Sequence, residues 1–269
     1  MTMAQIEFFG LGEMGHAMAG HLARAGHAVL PHDPDARRLA QWEAAHGAPR
    51  PAAADVLITS VTDSEALERL IGAAEGIAAR LRPGMLWIDH TTTSSAFARD
   101  CAALAAARGA AFVDCAMSGG AAGAQAGELA LFAGGANADA VRASELTRPY
   151  CRHFFHLGAA GAGQAAKLAH QLAIAGTVLG LDAALAYGGA QGLGRAQLLA
   201  ALEAGTARSA QLAQHHARIS APDFDFSAGF AWLAKDLAAL PADSPLLPML
   251  LRGWLQQDLK PTPPGTGAQ

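Results

Sequence analysis

A glycine-rich turn near the start of the chain constrains the fold more than any other feature. Gly10, Gly12 and Gly15 directly follow the apolar run at residues 6–9 and precede an amphipathic segment. Glycines at this spacing permit a tight turn and a close approach of the backbone to a phosphate, which the following helix N-terminus stabilises. We interpret the turn as the phosphate-binding element of a dinucleotide-binding domain. An ordinary strand–helix turn is the alternative.

Apolar runs and helical segments alternate through the first 160 residues. One predicted helix covers residues 34–46 and ends at Gly47, and another begins at Thr93 or Ser94 and ends at Gly109. This alternation predicts an α/β fold of the Rossmann type, with a doubly wound parallel sheet. The predicted strands are residues 6–9, 28–30, 56–61, 85–88, 111–113, 129–133 and 154–157.

The pattern changes at residue 161, where strands cease and a long apolar helix begins. We therefore predict a dinucleotide-binding domain at residues 1–160, followed by an all-helical domain for substrate binding and oligomerisation at residues 161–269. The Pro- and Gly-rich end of the chain predicts a loose tail. The predicted helices are residues 161–187, 197–204, 209–219, 228–240 and 246–259.

Composition excludes several classes of protein. The net charge is −4 and the chain has no basic run, which argues against a nucleic-acid partner. Three widely spaced cysteines indicate reduced thiols in a cytoplasmic protein, and no metal site is predicted. Polar residues interrupt the apolar stretch at residues 165–190, which favours a buried core helix over a membrane span.

Lysine is scarce, and Lys167 lies at the start of that long helix. The chain has three lysines among 19 basic residues, so arginine covers most needs for positive charge. Lysine can release its proton when partly desolvated, whereas arginine stays protonated. His170 and Gln171 share the helix face of Lys167. We interpret Lys167 as a candidate catalytic acid/base. A lysine extending from a half-buried helix to solvent is the alternative.

Two further positions have both a functional and a structural interpretation. Asp33 follows the second strand, where a carboxylate can bind ribose hydroxyls and repel a 2′-phosphate, which favours NAD over NADP. Asp33-Pro34 also suits a helix start, and Arg37 or Arg38 could accept a phosphate, so NADP is not excluded. Ser118 with its two following glycines offers donors to a carboxylate, or forms a plain turn.

Five blocks in this order resemble the β-hydroxyacid dehydrogenase family, which includes 3-hydroxyisobutyrate dehydrogenase. The resemblance covers nearly the whole chain. The blocks are FFGLGEMGHAMAGHLARAGHAV, IDHTTTS at residues 88–94, DCAMSGGAAGAQAGELALFAGG at 114–135, GAGQAAKLAHQ at 161–171 and GFAWLAKDLA at 229–238.

The resemblance implies a role for each matching residue. Lys167 would be the catalytic acid/base, and Ser118, Gly119 and Gly120 would bind the carboxylate of a small acid, with His170 and Gln171 orienting it. It also implies a homodimer or homotetramer. The cofactor-binding residues would be Gly10, Leu11, Gly12, Glu13, Met14, Gly15, Asp33, Val61, Thr62, Thr92 and Lys235.

This chain also departs from the family pattern. His170 stands where most members have Asn, and Ala116-Met117 replaces the usual Pro-Val. The sequence predicts an NAD-dependent oxidoreductase acting on a small 3-hydroxy acid or semialdehyde acid. An NADPH-dependent imine or keto reductase is the first alternative, although such relatives generally lack the lysine. A non-catalytic dinucleotide-binding protein is the second.

Overall fold

The structure is a computed structural model that describes residues 3–47 and 53–240. The chain divides into two compact units, Met1–Lys167 and Leu168–Gln269. The predicted boundary after residue 160 lies slightly earlier, before the helix that carries Lys167. The assignment of a nucleotide domain and a substrate domain stays a prediction.

The first unit is built on a mainly parallel sheet. Its strands are β1 (Gln5–Phe9), β2 (Ala28–His32), β3 (Val56–Thr59), β4 (Leu86–Asp89), β5 (Ala111–Ser118), β6 (Leu129–Gly134) and β7 (Cys151–His156). Among the described residues these form one seven-stranded sheet of order β2-β1-β3-β4-β5-β6-β7. The predicted Rossmann-type sheet is confirmed. Of these seven strands, only β5 and β6 pair in the antiparallel direction, which the apolar pattern did not indicate.

Helices cover both faces of this sheet, which explains why β3 and β4 are buried on both sides. Side chains on one face, such as Ile58 and Ile88, pack with Met18 of the first helix. Alternate side chains, such as Leu57 and Trp87, form a second core on the opposite face. The helices are α1 (Glu13–Arg24), α2 (Ala36–His46), α3 (Ser64–Gly72), α4 (Ile77–Arg80), α5 (Ser95–Ala107), α6 (Gly120–Ala126) and α7 (Asn137–Thr147).

The longest helix, α8 (Ala162–Ala190), begins in the first unit and continues through the predicted break at Gly188 and Gly189. In the second unit, the predicted helix at residues 228–240 is split into two short helices. The helix predicted at residues 246–259 and the tail lie outside the described residues. The helices that follow α8 are α9 (Arg195–Ala204), α10 (Ala210–Ile219), α11 (Phe226–Gly229) and α12 (Ala231–Leu237).

One stripe of α8 is buried, and its residues recur every three or four positions, as a helix face requires. By length and composition alone α8 could cross a membrane, which is weak evidence because core helices pass the same test. Only 28% of its most apolar window is buried. The prediction of a buried core helix is therefore correct for the stripe and wrong for the rest. The stripe includes Gln164, Lys167, Leu168, Gln171, Ala175, Val178, Leu181 and Leu185.

Candidate active site

The carboxyl ends of the first four strands lie at one edge of the sheet. Phe9 pairs in register with both His32 and Thr59, and Thr59 pairs with Asp89. Because β2 and β3 flank β1 on opposite sides, the strand order reverses there, and open α/β sheets bind ligands at such a point. The segments that follow these strands carry the predicted cofactor residues Gly10, Asp33, Val61, Thr62 and Thr92.

The glycine turn has the shape that a pyrophosphate requires. Gly10 has a φ of 99°, and a Cβ there would collide with the Ser60 carbonyl. A Cβ on Gly15 would collide with the Gly10 carbonyl. A Cβ on Gly12, in contrast, would meet no described atom within 4 Å, so the turn is open on that side. Gly12 is the N-cap of α1 and has no side chain to occupy the helix N–H groups, which suits an anion.

Asp33 braces the glycine turn. Its Oδ2 accepts a hydrogen bond from the Leu11 N–H at 2.7 Å, and its Oδ1 accepts one from the Asp35 N–H at 2.8 Å. The side chain is 2% exposed. The alternative that Asp33 caps the next helix is wrong, because Asp35 is the N-cap of α2 and accepts from the Arg37 N–H. Binding of a ribose by Asp33 stays a prediction.

Both arginines that could bind a phosphate are paired with carboxylates. Arg37 donates from Nε and Nη2 to Asp35 at 3.1 and 2.9 Å, and these contacts lower the pKa of Asp35 to about 2. Arg38 Nη1 lies 3.6 Å from Asp33 Oδ2. Both arginines are therefore already engaged by carboxylates after β2. Sequence reasoning missed Asp35, although an acidic residue before a helix is typical of an N-cap.

The segments after β3 and β4 are tied together through Thr91. The Val61 N–H donates to Thr91 Oγ1 at 3.3 Å, and Asp89 Oδ1 accepts from Thr59 Oγ1 at 2.7 Å and from the Thr91 N–H at 3.0 Å. Burial raises the pKa of Asp89 to about 7, and Asp89 Oδ2 has no partner among the described residues. This bracing fixes the backbone directly before Thr92, which is half-buried.

Asp114 and Gln164 attach the start of α8 to the sheet. Asp114 accepts from the Gly161 N–H at 2.7 Å and from the Gln164 N–H at 2.9 Å. Gln164 then accepts from the Thr93 N–H at 3.0 Å and donates to the Thr91 carbonyl at 2.7 Å. Burial is the main cause that raises the pKa of Asp114. The sequence analysis assigned no role to either residue, although both lie inside the blocks that carry the resemblance.

Lys167 lies one turn after Gln164 and is 8% exposed. Its helix approaches the sheet closely because Gly163 has no Cβ. A Cβ at this position would collide with the Phe132 carbonyl and lie 2.8 Å from the Asp114 carbonyl. The glycines before Lys167 therefore have a packing role. The alternative of a lysine that extends into solvent is not supported by this burial.

Ser118 ends the part of β5 that extends beyond β4, and Gly119 and Gly120 follow it. Asp89 is the last residue of β4 and pairs with Asp114, whereas β5 continues to Ser118 alongside β6. Gly119 and Gly120 have φ angles of 133° and 61°, which favour glycine. Ser118 is half-buried and the two glycines are exposed. The predicted strand ended at residue 113 and was too short.

The second unit holds three further predicted residues, of which two, Gln171 and Lys235, contact Asp236. Gln171 Nε2 donates to Asp236 Oδ2 at 2.6 Å, and Lys235 Nζ lies 3.1 Å from Asp236 Oδ1. Gln171 is fully buried and Asp236 is 8% exposed. His170 is half-buried on α8 next to Gln171. Sequence reasoning gave Asp236 no role, although it directly follows Lys235.

These features define a dinucleotide-binding α/β protein whose second unit is helical. Two family models match the chain. The NAD binding domain of 6-phosphogluconate dehydrogenase matches residues 5–158, and the NAD-binding domain of NADP-dependent 3-hydroxyisobutyrate dehydrogenase matches residues 161–243. The chain belongs to the 3-hydroxyisobutyrate dehydrogenase family, so the resemblance identified from the sequence is confirmed.

Curated relatives support this membership. An uncharacterized oxidoreductase of Shewanella frigidimarina is 34% identical over 87% of this chain and 83% of its own length. The 3-hydroxyisobutyrate dehydrogenase of Pseudomonas aeruginosa is 36% identical over 73% of this chain and 68% of its own length. An NAD-dependent L-serine dehydrogenase of Pseudomonas aeruginosa is 34% identical over 71% and 66%.

Solved structures show the same fold. The 3-hydroxyisobutyrate dehydrogenase of Mycobacterium tuberculosis, solved with L-serine, is 30% identical, covers 94% of this chain and 93% of its own, and has a TM-score of 0.76. An imine reductase of Myxococcus stipitatus with NAD+ is 22% identical over 76% and 72%, with a TM-score of 0.66, and shows the fold alone. The chain is thus an NAD(P)-binding oxidoreductase of the hydroxyacid dehydrogenase family.

Proposed function

We propose that this protein is an NAD-dependent dehydrogenase that interconverts a small 3-hydroxy carboxylic acid and its semialdehyde acid. One observation carries the proposal: Lys167 is buried on a helix whose first turn is attached, through Asp114 and Gln164, to the strand that ends at Ser118 and to the segment around Thr92. A proton-transferring group and a predicted carboxylate-binding turn thereby share one rigid framework.

Lys167 acts as the acid/base in this proposal. In oxidation its neutral amine accepts the proton of the substrate hydroxyl as the carbonyl forms, and in reduction its ammonium returns that proton. The bound nicotinamide supplies the hydride acceptor. A positioned acid/base of this kind contributes about 10²–10⁴-fold to the rate. Alignment of the substrate on the framework supplies a further part of the acceleration.

The turn after β5 binds the substrate carboxylate. Ser118 provides a hydroxyl donor, and backbone N–H groups of Gly119 and Gly120 can approach an anion closely because no side chain covers them. Hydrogen bonds to a charged group contribute about 1.5–3 kcal/mol each. A small acid is therefore the class of substrate that suits this turn.

The carboxylates after β2 support a preference for NAD. Asp33 and Asp35 place negative charge where a 2′-phosphate would lie, and Arg37 and Arg38 are already engaged by these carboxylates. The interaction between two like charges is unfavourable, so NADP should bind more weakly. The adenosine ribose of NAD carries only hydroxyls at this point.

The two alternatives are less well supported. The imine reductase neighbours share the fold at low identity, and their chemistry does not account for a buried lysine at this position. A purely dinucleotide-binding protein would not need Ser118, Lys167 and Lys235 together. We further propose a cytoplasmic homodimer or homotetramer, which the exposed apolar part of α8, including Tyr187 at 71% exposure, supports.

The proposal is tested by steady-state kinetics on the purified full-length chain. A panel of short 3-hydroxy acids is assayed with NAD and with NADP, and light scattering measures the oligomeric mass. We expect turnover of at least one 3-hydroxy acid and a higher kcat/KM with NAD. Absence of turnover across the panel contradicts the proposed activity. Equal kcat/KM for the two cofactors contradicts the roles of Asp33 and Asp35.

A further inference from the structure

A buried carboxylate lies in the middle of β1, a strand whose other buried residues are apolar. Glu7 is 8% exposed, and its Oε2 accepts from His32 Nε2 at 2.8 Å and from Arg80 Nη1 at 2.6 Å. The hydrogen bond from His32 is the largest cause that lowers the pKa of Glu7, and the charge of Arg80 acts in the same direction. A buried carboxylate costs free energy unless it is paired, so these contacts determine how the segment around Glu7 packs.

His32 connects this carboxylate to the glycine turn. It is the last residue of β2, and Asp33 follows it directly. Its ring is stacked on the ring of Phe9, with the centroids 4.3 Å apart and 10° between the planes, and Phe9 precedes Gly10. A carboxylate only accepts hydrogen bonds, so the Nε2 atom that faces Glu7 carries a proton.

The strand that carries His32 is held on one side only. Within the described part of the chain β2 is an edge strand that pairs with β1 alone. An edge strand has a free row of backbone groups, so side-chain contacts at its end have a larger share in fixing the next residue. Asp33 itself accepts from the Leu11 N–H at 2.7 Å. Its position relative to the glycine turn therefore depends on this bond and on the bond between His32 and Glu7.

We propose that His32 is a positioning residue for the cofactor: its hydrogen bond to Glu7 holds the Asp33 carboxylate where it accepts from the adenosine ribose, and thereby sets the preference for NAD over NADP. This inference rests on the proposed cofactor preference. A displaced Asp33 binds ribose hydroxyls less well and repels a 2′-phosphate less strongly. It also releases Arg38, whose Nη1 lies 3.6 Å from Asp33 Oδ2, to bind a phosphate.

Two substitutions of His32 separate its hydrogen bond from its ring. The side chain is 28% exposed, so His32→Phe has room to keep a ring on Phe9 while it loses the donor to Glu7. His32→Gln offers an amide donor in place of Nε2 but has no ring. Fluorescence titration of the full chain with NAD and with NADP gives the Kd for each cofactor, and the ratio of the two measures the preference.

We expect the ratio of the Kd for NADP to the Kd for NAD to fall roughly fivefold or more in His32→Phe, mainly through weaker binding of NAD. In His32→Gln the ratio should stay within about twofold of wild type. A purely structural residue would weaken both cofactors equally, so an unchanged ratio in His32→Phe overturns the positioning role. An equal fall in both variants overturns the role of the hydrogen bond.

Glu7→Gln tests whether position or charge is responsible. His32 and Arg80 both donate to one oxygen of Glu7, so an amide carbonyl can accept from both while the negative charge is removed. The ratio should stay within about twofold of wild type. A fall as large as that in His32→Phe would mean that the charge of Glu7 acts on the phosphate through space, and would overturn the inference.

His156 provides a matched control at the other end of the sheet. It is the last residue of β7, the opposite edge strand in the described part of the chain, and its Nε2 donates to the Gly135 carbonyl at 2.9 Å. His156→Leu should lower the free energy of unfolding in urea and leave the ratio of the two Kd values unchanged. A ratio that falls as in His32→Phe would mean that it reports general stability, and would overturn the inference.

The titration also separates this inference from the proposed activity, because it needs no substrate. A protein that binds NAD and oxidises no 3-hydroxy acid contradicts the proposed activity, while the variants still decide the role of His32. A wild-type protein with equal Kd values for NAD and NADP contradicts the cofactor preference and overturns this inference with it. If His32→Phe does not fold, His32→Val, which is smaller and suits a strand, replaces it with the same expected result.

Discussion

Two buried glutamines on α8 have opposite hydrogen-bonding states. Gln164, in the first unit, uses both ends of its amide, since it donates to the Thr91 carbonyl and accepts from the Thr93 N–H. Gln171, in the second unit, uses only its NH2 group, on Asp236, as far as residues 3–47 and 53–240 show. Lys167 lies between them, one turn from each. A saturated amide holds the backbone in place, whereas a half-satisfied one leaves a buried acceptor without that stabilisation.

Two buried carboxylates in the first unit resemble Gln164, because backbone donors occupy them. Asp33 and Asp114 each accept two backbone N–H groups, so these carboxylates stabilise loops. Asp33, which the sequence predicts as a ribose contact, is therefore also a brace for the glycine turn. Whether a residue braces a segment or contacts a ligand depends on how many of its donors and acceptors already have partners within the fold.

The largest effect is expected at Lys167, which lies between the two glutamines. Lys167→Arg keeps the positive charge but cannot release a proton at a workable pH, so kcat should fall about 10²–10⁴-fold while NAD still binds. Lys167→Ala should be similarly inactive. Steady-state kinetics and fluorescence titration with NAD measure both properties. Near-normal turnover of Lys167→Arg would mean that another group transfers the proton.

The second prediction tests the contrast directly. Gln164→Leu leaves the Thr93 N–H and the Thr91 carbonyl buried without their partner, so the free energy of unfolding should fall by about 2–5 kcal/mol. Gln171→Leu removes an amide whose carbonyl has no partner in the described part of the chain, and Asp236 keeps Lys235, so the loss should be smaller, about 1 kcal/mol. Urea unfolding of both variants measures the difference. Equal losses would remove the distinction between the two glutamines.

A smaller effect is expected at the turn after β5. Ser118→Ala removes one donor to a charged carboxylate, worth about 1.5–3 kcal/mol, so KM should rise roughly 10-fold or more with little change in kcat. The Kd for NAD serves as the internal control. A weaker Kd for NAD with an unaltered KM would assign Ser118 to the cofactor, and the first unit would then lack its predicted carboxylate contact.

The last prediction concerns the pH dependence of stability and Asp89, whose Oδ2 has no partner among the described residues. Burial raises its pKa from 3.8 to about 7, so the folded state binds this proton more tightly than the unfolded state. The contribution of Asp89 to stability therefore falls as pH rises from about 4 to about 7 and is constant above that.

Asp89→Asn cannot lose a proton and should flatten that part of the stability profile. Urea unfolding of wild type and variant at pH 5, 6, 7 and 8 measures the slope. The variant should gain stability relative to wild type as pH rises through this window. Parallel profiles would mean that Asp89 stays ionised in the folded protein, and thus that its second oxygen has a partner.

The sequence by itself determined the strand–turn–helix at the N-terminus, the mainly parallel sheet and the family. These follow from local patterns, because glycine spacing and alternating apolar runs act over a few residues. The sequence also predicts that Lys167 and Gln171 share one face of the long helix, and both residues are buried on α8. Boundaries were less accurate where tertiary contacts extend an element, as at β5, which continues to Ser118 alongside β6.

Only the tertiary structure decided which polar residues are occupied and which are open. Asp33 bonds to Leu11, Gln164 to Thr93 and Gln171 to Asp236, and these pairs join residues that are 22, 71 and 65 positions apart in the chain. No local pattern specifies such partners, since the same side chain can stabilise a loop or bind a ligand. The packed fold makes the choice, because burial favours a hydrogen-bond partner for each polar atom and the partner is whichever donor or acceptor the fold brings within reach.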